Sequence, residues 1–266
     1  MSLPWCNFTK AIVRQIPSTL AGAALRREEP TSPIDLSRAR TQHDRYVKVL
    51  RELVETVVVL PPDDAYPDCV FVEDPAVVCD RRAVVCNLGH ASRRGEAAPI
   101  RDALRRLGVS CFDMSSDATM DGGDVLFTGR EFFVGLSERT NQKGVDFLAT
   151  TFSDYPTHTV SVKDSLHLKS LLSMAGPSAI VVADTPAGKN LWQQIVQSAA
   201  HQYECIWVPD EKAANCLYIN GTLVHRAEFP NSVKIFESLS CRRIEMSATE
   251  LSKADGCLTC CSLLIT

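Results

Sequence analysis

One structural plan recurs five times along this chain of 266 residues, and it constrains the fold more than any other feature. Short apolar segments typical of strands end near Leu60, Met114, Val162, Val208 and Met246, at spacings of 54, 48, 46 and 38 residues. An amphipathic helical pattern precedes each segment, and an acidic loop with further apolar strands follows it. The recurrence predicts that one supersecondary unit is repeated, although the five sequences are barely alike.

The helices are predicted from the spacing of their apolar residues. Leu36 and Ala39 begin a pattern with steps of three and four that predicts a helix over about 35–55. The next helix is expected to end at Gly108, because glycine adopts the left-handed conformation common at helix C-termini. Three further helices are predicted near 140–152, 187–200 and 231–240.

Apolar strands after each acidic loop predict how the units are completed. Asn220-Gly221 between two apolar runs is a strong signal for a two-residue hairpin, whereas AIVVAD is interpreted as a single strand. The last unit needs CCSLLI from the C-terminus and KAIVRQ from the N-terminus, and their pairing would close a ring. We therefore expect a single closed α/β domain over 1–266, with a two-domain α/β protein as the alternative.

Composition excludes several functional classes. The chain has 45% hydrophobic and 23% charged residues and a net charge of −4, and its arginines occur in short pairs, so no nucleic-acid partner is expected. No segment has the length of a signal peptide or a membrane span, which predicts a cytoplasmic protein with no membrane partner. The eleven cysteines are accordingly expected to be free thiols rather than a disulfide frame or a structural zinc site.

The chemically distinctive residues lie in the loops that follow the predicted strands. These loops read PDDAYPDCVFVED, ATMDGGD, KDSLHLKS, PDEKAANC and SKADGCLTCC. If the five units surround one axis, the loops converge at one end of it. The expected site then contains Asp68, Glu73, Asp74, Asp121, His167 and Cys260.

Each of these residues also has a purely structural interpretation. A cysteine in a strand is usually a small apolar side chain, His167 could be a core imidazole, and Asp-Gly-Gly-Asp is typical of a turn. A functional role is favoured because the acids, the histidine and the cysteine occupy equivalent positions in the repeat. LTCCSLLI is expected to be a strand, in which alternation directs only one of Cys260 and Cys261 toward the axis, and Cys260, which is nearer the loop, is the better candidate for a nucleophile.

Carboxylates beside a thiol and an imidazole suit a cationic substrate. Paired carboxylates bind a planar guanidinium through charge-assisted hydrogen bonds, and the bound cation would favour the Cys260 thiolate. His167 could then protonate the departing nitrogen and later accept a proton from water. Arg93 and Arg139 are candidates for binding the α-carboxylate of an amino-acid substrate.

With these residues assembled, the sequence resembles the dimethylarginine dimethylaminohydrolases of the guanidino-group-modifying superfamily. The resemblance covers nearly the whole chain and is most specific between Gly122 and Gln142. It is carried by the stretches PDCVFVED, ASRRGE, DGGDVLFTGREFFVGLSERTNQ, LHLKSLLSMAGP and DGCLTCCSLLI. It implies a five-bladed, pseudosymmetric α/β-propeller built of repeated ββαβ modules.

The resemblance also implies a role for each matching residue. Cys260 matches the nucleophile, His167 the general acid and base, and Asp121 the carboxylate that completes the triad. The residues implied in substrate binding are Asp74 and Glu73 for the guanidinium, Asp68 with the main chain of Leu25 and Ala254 for the α-amine, Arg93 and Arg139 for the α-carboxylate, and Asp255, which shapes the loop.

The implied activity is hydrolysis of methylated arginine to L-citrulline and the methylated amine, without a cofactor. Zinc is expected only as an inhibitor bound by Cys260 and His167, because a thiolate beside a histidine is a zinc ligand pair. The alternative enzymes are arginine and agmatine deiminases. The alternative from another class is a non-catalytic protein that binds methylarginine or senses redox state.

Overall fold

The computed structural model describes residues 7–266, which form five three-stranded sheets and six α-helices. The helices are α1 Leu20–Ala23, α2 Leu36–Leu53, α3 Ala97–Arg106, α4 Gln142–Thr151, α5 Pro186–Ser198 and α6 Pro230–Glu237. The strands are β1 Lys10–Arg14, β2 Thr56–Leu60, β3 Ala76–Cys79, β4 Arg82–Val85, β5 Ser110–Asp113, β6 Val125–Phe127, β7 Phe132–Leu136, β8 Thr157–Ser161, β9 Leu172–Gly176, β10 Ala179–Ala183, β11 Glu204–Val208, β12 Leu217–Ile219, β13 Thr222–Arg226, β14 Arg242–Met246 and β15 Leu263–Ile265.

All five sheets have the same topology. In four of them an antiparallel hairpin is followed by a helix and then by a third strand that pairs in parallel with the second strand of the hairpin. A parallel pair requires a crossover connection, and α3 to α6 supply it. This repetition confirms the predicted pseudosymmetric propeller of ββαβ modules.

The fifth sheet combines the two ends of the chain, as predicted. β15 pairs antiparallel with β1, so that Ala11 lies opposite Leu264, and β1 pairs in parallel with β2. The hairpin of this module is therefore formed by strands that lie at opposite ends of the sequence. Their pairing places the C-terminal cysteine segment against the first module.

The predicted helices are confirmed within a few residues at each end. Asp35 caps α2, because its side chain accepts a hydrogen bond from the backbone N–H of Arg38 at 3.0 Å. Gly108 has a φ of +79°, which explains why the chain turns there after α3. Within residues 7–266, no helix combines the length and the apolar character needed to cross a membrane.

Two predictions about the strands have different outcomes. The Asn220-Gly221 hairpin between β12 and β13 is confirmed, with φ values of +48° and +80° that its tight turn requires. The interpretation of AIVVAD as a single strand is wrong, because β10 pairs antiparallel with β9. The sequence of β9, LSMAG, contains small and polar residues, so it carries no apolar alternation.

The prediction that Cys260 and Cys261 lie in a strand is also wrong. Thr259–Cys261 form a turn of 3₁₀-helix, and β15 begins only at Leu263. The backbone N–H of Thr259 donates to the side chain of Asn215 at 3.0 Å, an interaction with a distant part of the chain. Tertiary contacts of this kind override the strand propensity of a short apolar segment.

The first strand of each hairpin faces the axis of the ring. β3, β6, β9, β12 and β15 line an axial cavity of about 170 Å³. The buried apolar side chains pack in clusters between each sheet and its helices, rather than in one central core. The loops that enter the inner strands are thereby brought to one end of the axis.

Candidate active site

Short turns precede the inner strands and converge at one end of the axis. Turns of 3₁₀-helix end within three residues of the start of β6, β9, β12 and β15, and Asp74 lies two residues before β3. They place a polar side chain from every module near the axis, namely Asp74, Asp121, His167, Asn215 and Cys260. The repeat that was visible in the sequence therefore becomes one cluster of functional groups.

A small cavity of about 30 Å³ opens beside this cluster. Ten of the eleven candidate residues named from the sequence line it: Leu25, Asp68, Asp74, Arg93, Asp121, Arg139, His167, Ala254, Asp255 and Cys260. Phe71, Leu166 and Gly256 complete the lining and were not singled out in the sequence, where nothing distinguishes them from other loop residues.

His167 lies between two carboxylates. Its Nε2 is hydrogen-bonded to Oδ2 of Asp121 at 3.0 Å, and its Nδ1 lies 4.0 Å from Oδ1 of Asp74. Asp121 is held in turn by the backbone N–H of Gly89, which donates to its Oδ1 at 3.0 Å. Asp121 therefore orients the imidazole, and its Nδ1 faces Asp74.

The charges around His167 favour its protonated form. Burial lowers the pKa of the imidazole, but Asp74 and the hydrogen bond to Asp121 outweigh it and raise the pKa to about 9. His167 consequently carries a proton at neutral pH. An imidazolium in this position can donate a proton to a group in the cavity.

Asp74 and Gly123 meet closely beside the imidazole. The backbone N–H of Gly123 donates to Oδ1 of Asp74 at 3.0 Å. A Cβ at residue 123 would lie 2.6 Å from Nδ1 of His167 and 2.9 Å from Oδ1 of Asp74, so only glycine fits there. Burial opposes ionisation of Asp74, but His167 and Arg93 outweigh it and lower its pKa. The Asp-Gly-Gly-Asp segment is therefore part of the site and not only a turn.

Arg93 binds the candidate guanidinium-binding acid directly. Its Nη1 donates to Oδ2 of Asp74 at 2.6 Å, and its Nη2 donates to Oε2 of Glu96 at 2.8 Å. Burial raises the pKa of Glu96 to about 7 despite the neighbouring guanidinium. Glu96 was not singled out in the sequence, although its spacing of three residues from Arg93 permits an ion pair within one turn. In this structure Arg93 is thus occupied by acids of its own chain.

Two loops near the cavity are joined through acidic side chains. Asp68 accepts hydrogen bonds from the backbone N–H of Leu25 at 3.1 and 3.3 Å. Asp255 has a φ of +55° and accepts from the backbone N–H of Arg27 at 2.6 Å. Burial raises the pKa of Asp68. These contacts fix the segment around Leu25 over the cavity.

The adjacent cysteines differ in their surroundings. Cys260 is half-buried and lines the cavity, whereas Cys261 is buried in an apolar cluster with Val49 and Val70. The thiol of Cys261 donates to the backbone carbonyl of Cys257 at 3.3 Å, and burial raises its pKa well above its usual range. The 3₁₀ turn, and not strand alternation, separates the two side chains.

Cys257 is a further thiol near the site that was not singled out in the sequence. It is half-buried, and its Sγ donates to the backbone carbonyl of Asp255 at 3.8 Å. The neighbouring Cys257 thiol, followed by burial, raises the pKa of Cys260 well above its usual range. The Cys-X-X-Cys spacing of Cys257 and Cys260 was the signal that could have identified it.

Asn215 was also missed, although it lies within the predicted fourth loop. Its Nδ2 donates to the backbone carbonyl of Lys169 at 2.8 Å and to Oγ1 of Thr259 at 2.9 Å. Its Oδ1 accepts from the backbone N–H of Thr259 at 3.0 Å. Asn215 thereby ties the turn that bears Cys260 to the segment that bears His167.

Glu73 differs from the other candidate residues, because it lines the axial cavity and not the small one. Its carboxylate forms an ion pair with Lys169 and accepts from Oγ1 of Thr259 at 2.8 Å. The backbone N–H of Glu73 donates to the carbonyl of Cys260 at 3.1 Å. The structure thus places Glu73 behind the Cys260 turn, where it supports the turn.

We expect Glu73→Gln to destabilise the fold by about 3 kcal/mol, because it leaves the partly buried Lys169 ammonium without a counter-charge. Urea unfolding would measure the loss. Glu29→Gln is the matched control, since Glu29 is 89% exposed in its ion pair with Arg26 and should change stability by less than about 0.5 kcal/mol. Equal stability of the two variants would contradict this interpretation.

One group of potential metal ligands occurs among residues 7–266. The nearest ligand atoms of Asp74, Asp121 and His167 lie within 4.8 Å of one another. This group does not include Cys260. Two carboxylates and an imidazole are a possible ligand set for a divalent cation, but all three residues already have partners within the protein.

Comparisons with known proteins identify the family to which the chain is related. A family model described as eukaryotic N,N-dimethylarginine dimethylhydrolase matches residues 23–261. A Bos taurus protein named "Putative hydrolase DDAH2" is 34% identical over 270 residues, covering 96% of this chain and 93% of that protein. The N(G),N(G)-dimethylarginine dimethylaminohydrolase of Pseudomonas aeruginosa is 30% identical over 234 residues, covering 86% of this chain and 89% of that protein.

A solved structure shares the fold over nearly the full length. The Pseudomonas aeruginosa enzyme, as a cysteine-to-serine mutant complexed with citrulline, superposes with a TM-score of 0.86 and 27% identity. The match covers 97% of this chain and 99% of that one. The family model and the relatives together show that the chain belongs to the dimethylarginine dimethylaminohydrolase family.

Proposed function

We propose that this protein hydrolyses Nω,Nω-dimethyl-L-arginine and Nω-monomethyl-L-arginine to L-citrulline and dimethylamine or methylamine. The observation that carries the proposal is the cavity in which Cys260 accompanies His167, hydrogen-bonded to Asp121, and Asp74. A thiol, an imidazolium and a carboxylate at one cavity suit nucleophilic attack on a cationic amidine. Membership of the family supports the same substrate class.

Asp74 is the proposed acceptor for the guanidinium of the substrate. The 2.6 Å contact with Arg93 supports this role, because the carboxylate already binds a guanidinium of its own chain. A substrate guanidinium on Asp74 takes the place of the Arg93 guanidinium, so binding releases Arg93 from this carboxylate. The released Arg93, together with Arg139, would then meet the α-carboxylate of the substrate, and Asp68 would meet the α-amine.

The bound cation would activate the nucleophile. In the free protein, the neighbouring Cys257 thiol, burial and the negative charges of Glu73 and Asp74 raise the pKa of the Cys260 thiol. A guanidinium bound on Asp74 neutralises part of this negative charge and therefore favours the thiolate form of Cys260. Substrate binding and ionisation of Cys260 are therefore linked, which limits side reactions of the thiol in the free enzyme.

The proposed reaction proceeds in two steps. The Cys260 thiolate attacks the guanidinium carbon, and the C–S bond forms as the bond to the methylated nitrogen breaks and His167 protonates the departing amine. The covalent thiouronium intermediate then reacts with water, which transfers a proton to His167 as the C–O bond forms. Collapse of this adduct forms the C=O bond and breaks the C–S bond, and the hydroxyl proton passes to solvent as L-citrulline and the thiolate are released. The pKa of about 9 leaves His167 protonated for the first step.

Citrulline release from Nω,Nω-dimethyl-L-arginine tests the proposal, with L-arginine and agmatine assayed in parallel and Cys260→Ser as the control. Turnover of the methylated substrates that is lost in the variant would support the proposal. Turnover of arginine or agmatine instead would identify a deiminase with the same mechanism. Absence of turnover from the folded wild type would favour a non-catalytic methylarginine-binding or redox-sensing protein.

Inhibition by zinc is predicted to depend on Cys260. Zinc bound by the Cys260 thiolate and His167 displaces their protons, so inhibition should strengthen as the pH rises toward 9. Calorimetric titration of wild type and Cys260→Ser with zinc, and reversal by a chelator, would test this. Equally tight binding to Cys260→Ser would assign the metal to Asp74, Asp121 and His167 instead.

Three further properties remain predictions from the sequence. They are a single catalytic domain over 1–266, turnover without a cofactor, and a cytoplasmic location. The pairing of β15 with β1 supports the first of them, because it joins the two ends of the described chain in one sheet. Activity of the purified protein after dialysis against a chelator would test the second.

A further inference from the structure

Asp124 is a buried carboxylate that lies outside the small cavity. It is fully buried at the end of the 3₁₀ turn Gly122–Asp124, directly before β6. Its side chain does not line the cavity that contains His167 and Cys260. A buried carboxylate is costly unless polar groups surround it, so the groups that it binds indicate what it does.

One carboxylate oxygen of Asp124 holds the main chain beside His167. The backbone N–H of Leu168 donates to Oδ1 of Asp124 at 2.9 Å. A Cβ at residue 135 would lie 3.0 Å from this oxygen and 3.1 Å from Cβ of Leu168, so Gly135 in β7 leaves the room that the contact needs. Asp124 therefore fixes the backbone from which the imidazole of His167 projects.

The other carboxylate oxygen of Asp124 reaches Asp121 through Thr140. Oγ1 of Thr140 donates to Oδ2 of Asp124 at 2.7 Å and accepts from the backbone N–H of Asp121 at 3.2 Å. Because the carboxylate takes the hydroxyl proton, the lone pairs of Oγ1 stay available for this N–H. Asp124 thus holds both members of the His167–Asp121 pair, one through each of its oxygens.

Oδ2 of Asp124 also reaches Arg139, through Ser137. Oγ of Ser137 donates to Oδ2 at 2.6 Å and accepts from the backbone N–H groups of Arg139 at 3.0 Å and Thr140 at 3.2 Å. The backbone N–H of Ser137 donates in turn to the carbonyl of Thr140 at 3.2 Å. The turn that carries Arg139 is therefore bound to Asp124 at both of its ends.

We propose that Asp124 is a positioning residue that sets the His167–Asp121 pair and Arg139 in one common geometry. The pair acts on the guanidinium end of the substrate and Arg139 on its α-carboxylate, so Asp124 fixes the separation between the two ends of the site. The effect on catalysis rests on the proposed function, whereas the effect on the geometry does not depend on it.

This role requires a carboxylate and not an amide. Three donors converge on Asp124, namely the N–H of Leu168 and two hydroxyls. In Asp124→Asn one oxygen becomes an NH₂ group, which cannot accept, so at least one of these donors loses its partner. If the hydroxyls lose theirs, their bonds to the N–H groups of Asp121 and Arg139 weaken. A misplacement of about 1 Å at a site can cost about 10²-fold in rate.

The two hydroxyl branches can be broken separately and assayed with Nω,Nω-dimethyl-L-arginine. Ser137→Ala removes the branch to Arg139, and we expect it to raise KM about tenfold with little change in kcat. Thr140→Val removes the branch to Asp121, and we expect it to lower kcat about tenfold with little change in KM. Thr140→Ser keeps the hydroxyl and should recover most of the lost kcat. Asp124→Asn should change both constants and lower kcat/KM by about 10²-fold.

Glu131→Gln is the matched control for Asp124→Asn. Glu131 is an equally buried carboxylate, hydrogen-bonded to Nε2 of His158 at 2.6 Å and to the Tyr203 hydroxyl at 2.7 Å, and these partners lie outside the small cavity. We expect both variants to unfold at a lower temperature than wild type. Only Asp124→Asn should change kcat and KM.

Crystal structures of the single-branch variants test the geometry without any activity. Ser137→Ala should displace the turn that carries Arg139 and leave the contact between His167 and Asp121 in place. Thr140→Val should lengthen that contact and leave the Arg139 turn in place.

Wild-type kinetics in a folded Asp124→Asn would overturn the proposal. So would Ser137→Ala and Thr140→Val variants that change kcat and KM alike, because a merely structural role produces no division between the two constants. If the wild type shows no turnover, displacement of these groups in the crystals would retain the positioning role and remove the proposed hydrolysis, whereas unmoved groups would overturn the positioning role as well.

Discussion

Replacement of Cys260 by serine is expected to lower kcat by at least about 10⁴-fold, while the affinity for methylated arginines changes little. The serine hydroxyl has nearly the size of the thiol but does not ionise near neutral pH. His167 cannot serve as its base, because its pKa of about 9 leaves it protonated. The variant therefore retains the binding groups and loses the attacking atom.

Single-turnover assays and calorimetric titration with Nω,Nω-dimethyl-L-arginine would separate the two effects. Cys261→Ser is the matched control, because Cys261 lies in an apolar cluster away from the cavity. We expect it to keep its kcat and to lose about 1 kcal/mol of stability through burial of a hydroxyl. If Cys261→Ser abolished turnover and Cys260→Ser did not, the assignment of the nucleophile would be reversed.

The part of the fold that was predictable is the part determined by periodicity. The helix at Leu36–Leu53 has a regular apolar face, and Asn220-Gly221 supplies a turn whose left-handed angles few other pairs adopt. Repetition of these local signals indicated five modules. The closure of the ring between β1 and β15 then followed from the two unpaired ends.

The parts that were not predictable depend on distant contacts. The turn at Thr259–Cys261 is held by Asn215 and Glu73, which lie 44 and 186 residues away in the sequence. An apolar pattern such as LTCCSLLI contains no information about such partners. The strand prediction at Cys260 therefore failed, although the choice of Cys260 over Cys261 at the cavity agrees with the structure.

The direction in which an acid points was a second limit. Glu73 and Asp74 are adjacent in the sequence, yet Asp74 faces His167 and Glu73 faces Lys169 on the axial side. Sequence alone also gave no indication that Arg93 binds Asp74 in the free protein. The directions of these acids and the contact of Arg93 with Asp74 depend on the cavity that each side chain enters. The packing of the modules against one another determines those cavities.

Asp121→Asn is expected to lower kcat by about 10²–10⁴-fold and to move the alkaline limb of the pH profile to lower pH. Burial alone would lower the pKa of His167, and Asp74, Asp121 and Asp124 together raise it to about 9. The proposed reaction needs the imidazolium, so wild-type kcat/KM should fall as the pH rises through about 9. Removal of one negative charge lowers that pKa, and the fall then begins at a lower pH.

The same substitution should change how stability depends on pH. The pKa of His167 is raised from 6.5 to about 9 on folding. Its contribution to the free energy of unfolding is therefore complete below pH 6.5 and is lost as the pH rises through 9. Asp121→Asn should therefore be most destabilised relative to wild type at pH 6 and least at pH 10. Asp117→Asn is the control, because exposed Asp117 forms its ion pair with Lys143 on the surface and should leave the alkaline limb in place. If the alkaline limb of the pH profile were unchanged in Asp121→Asn, His167 would not be the group that supplies the proton, because removal of the Asp121 charge must lower the pKa of His167.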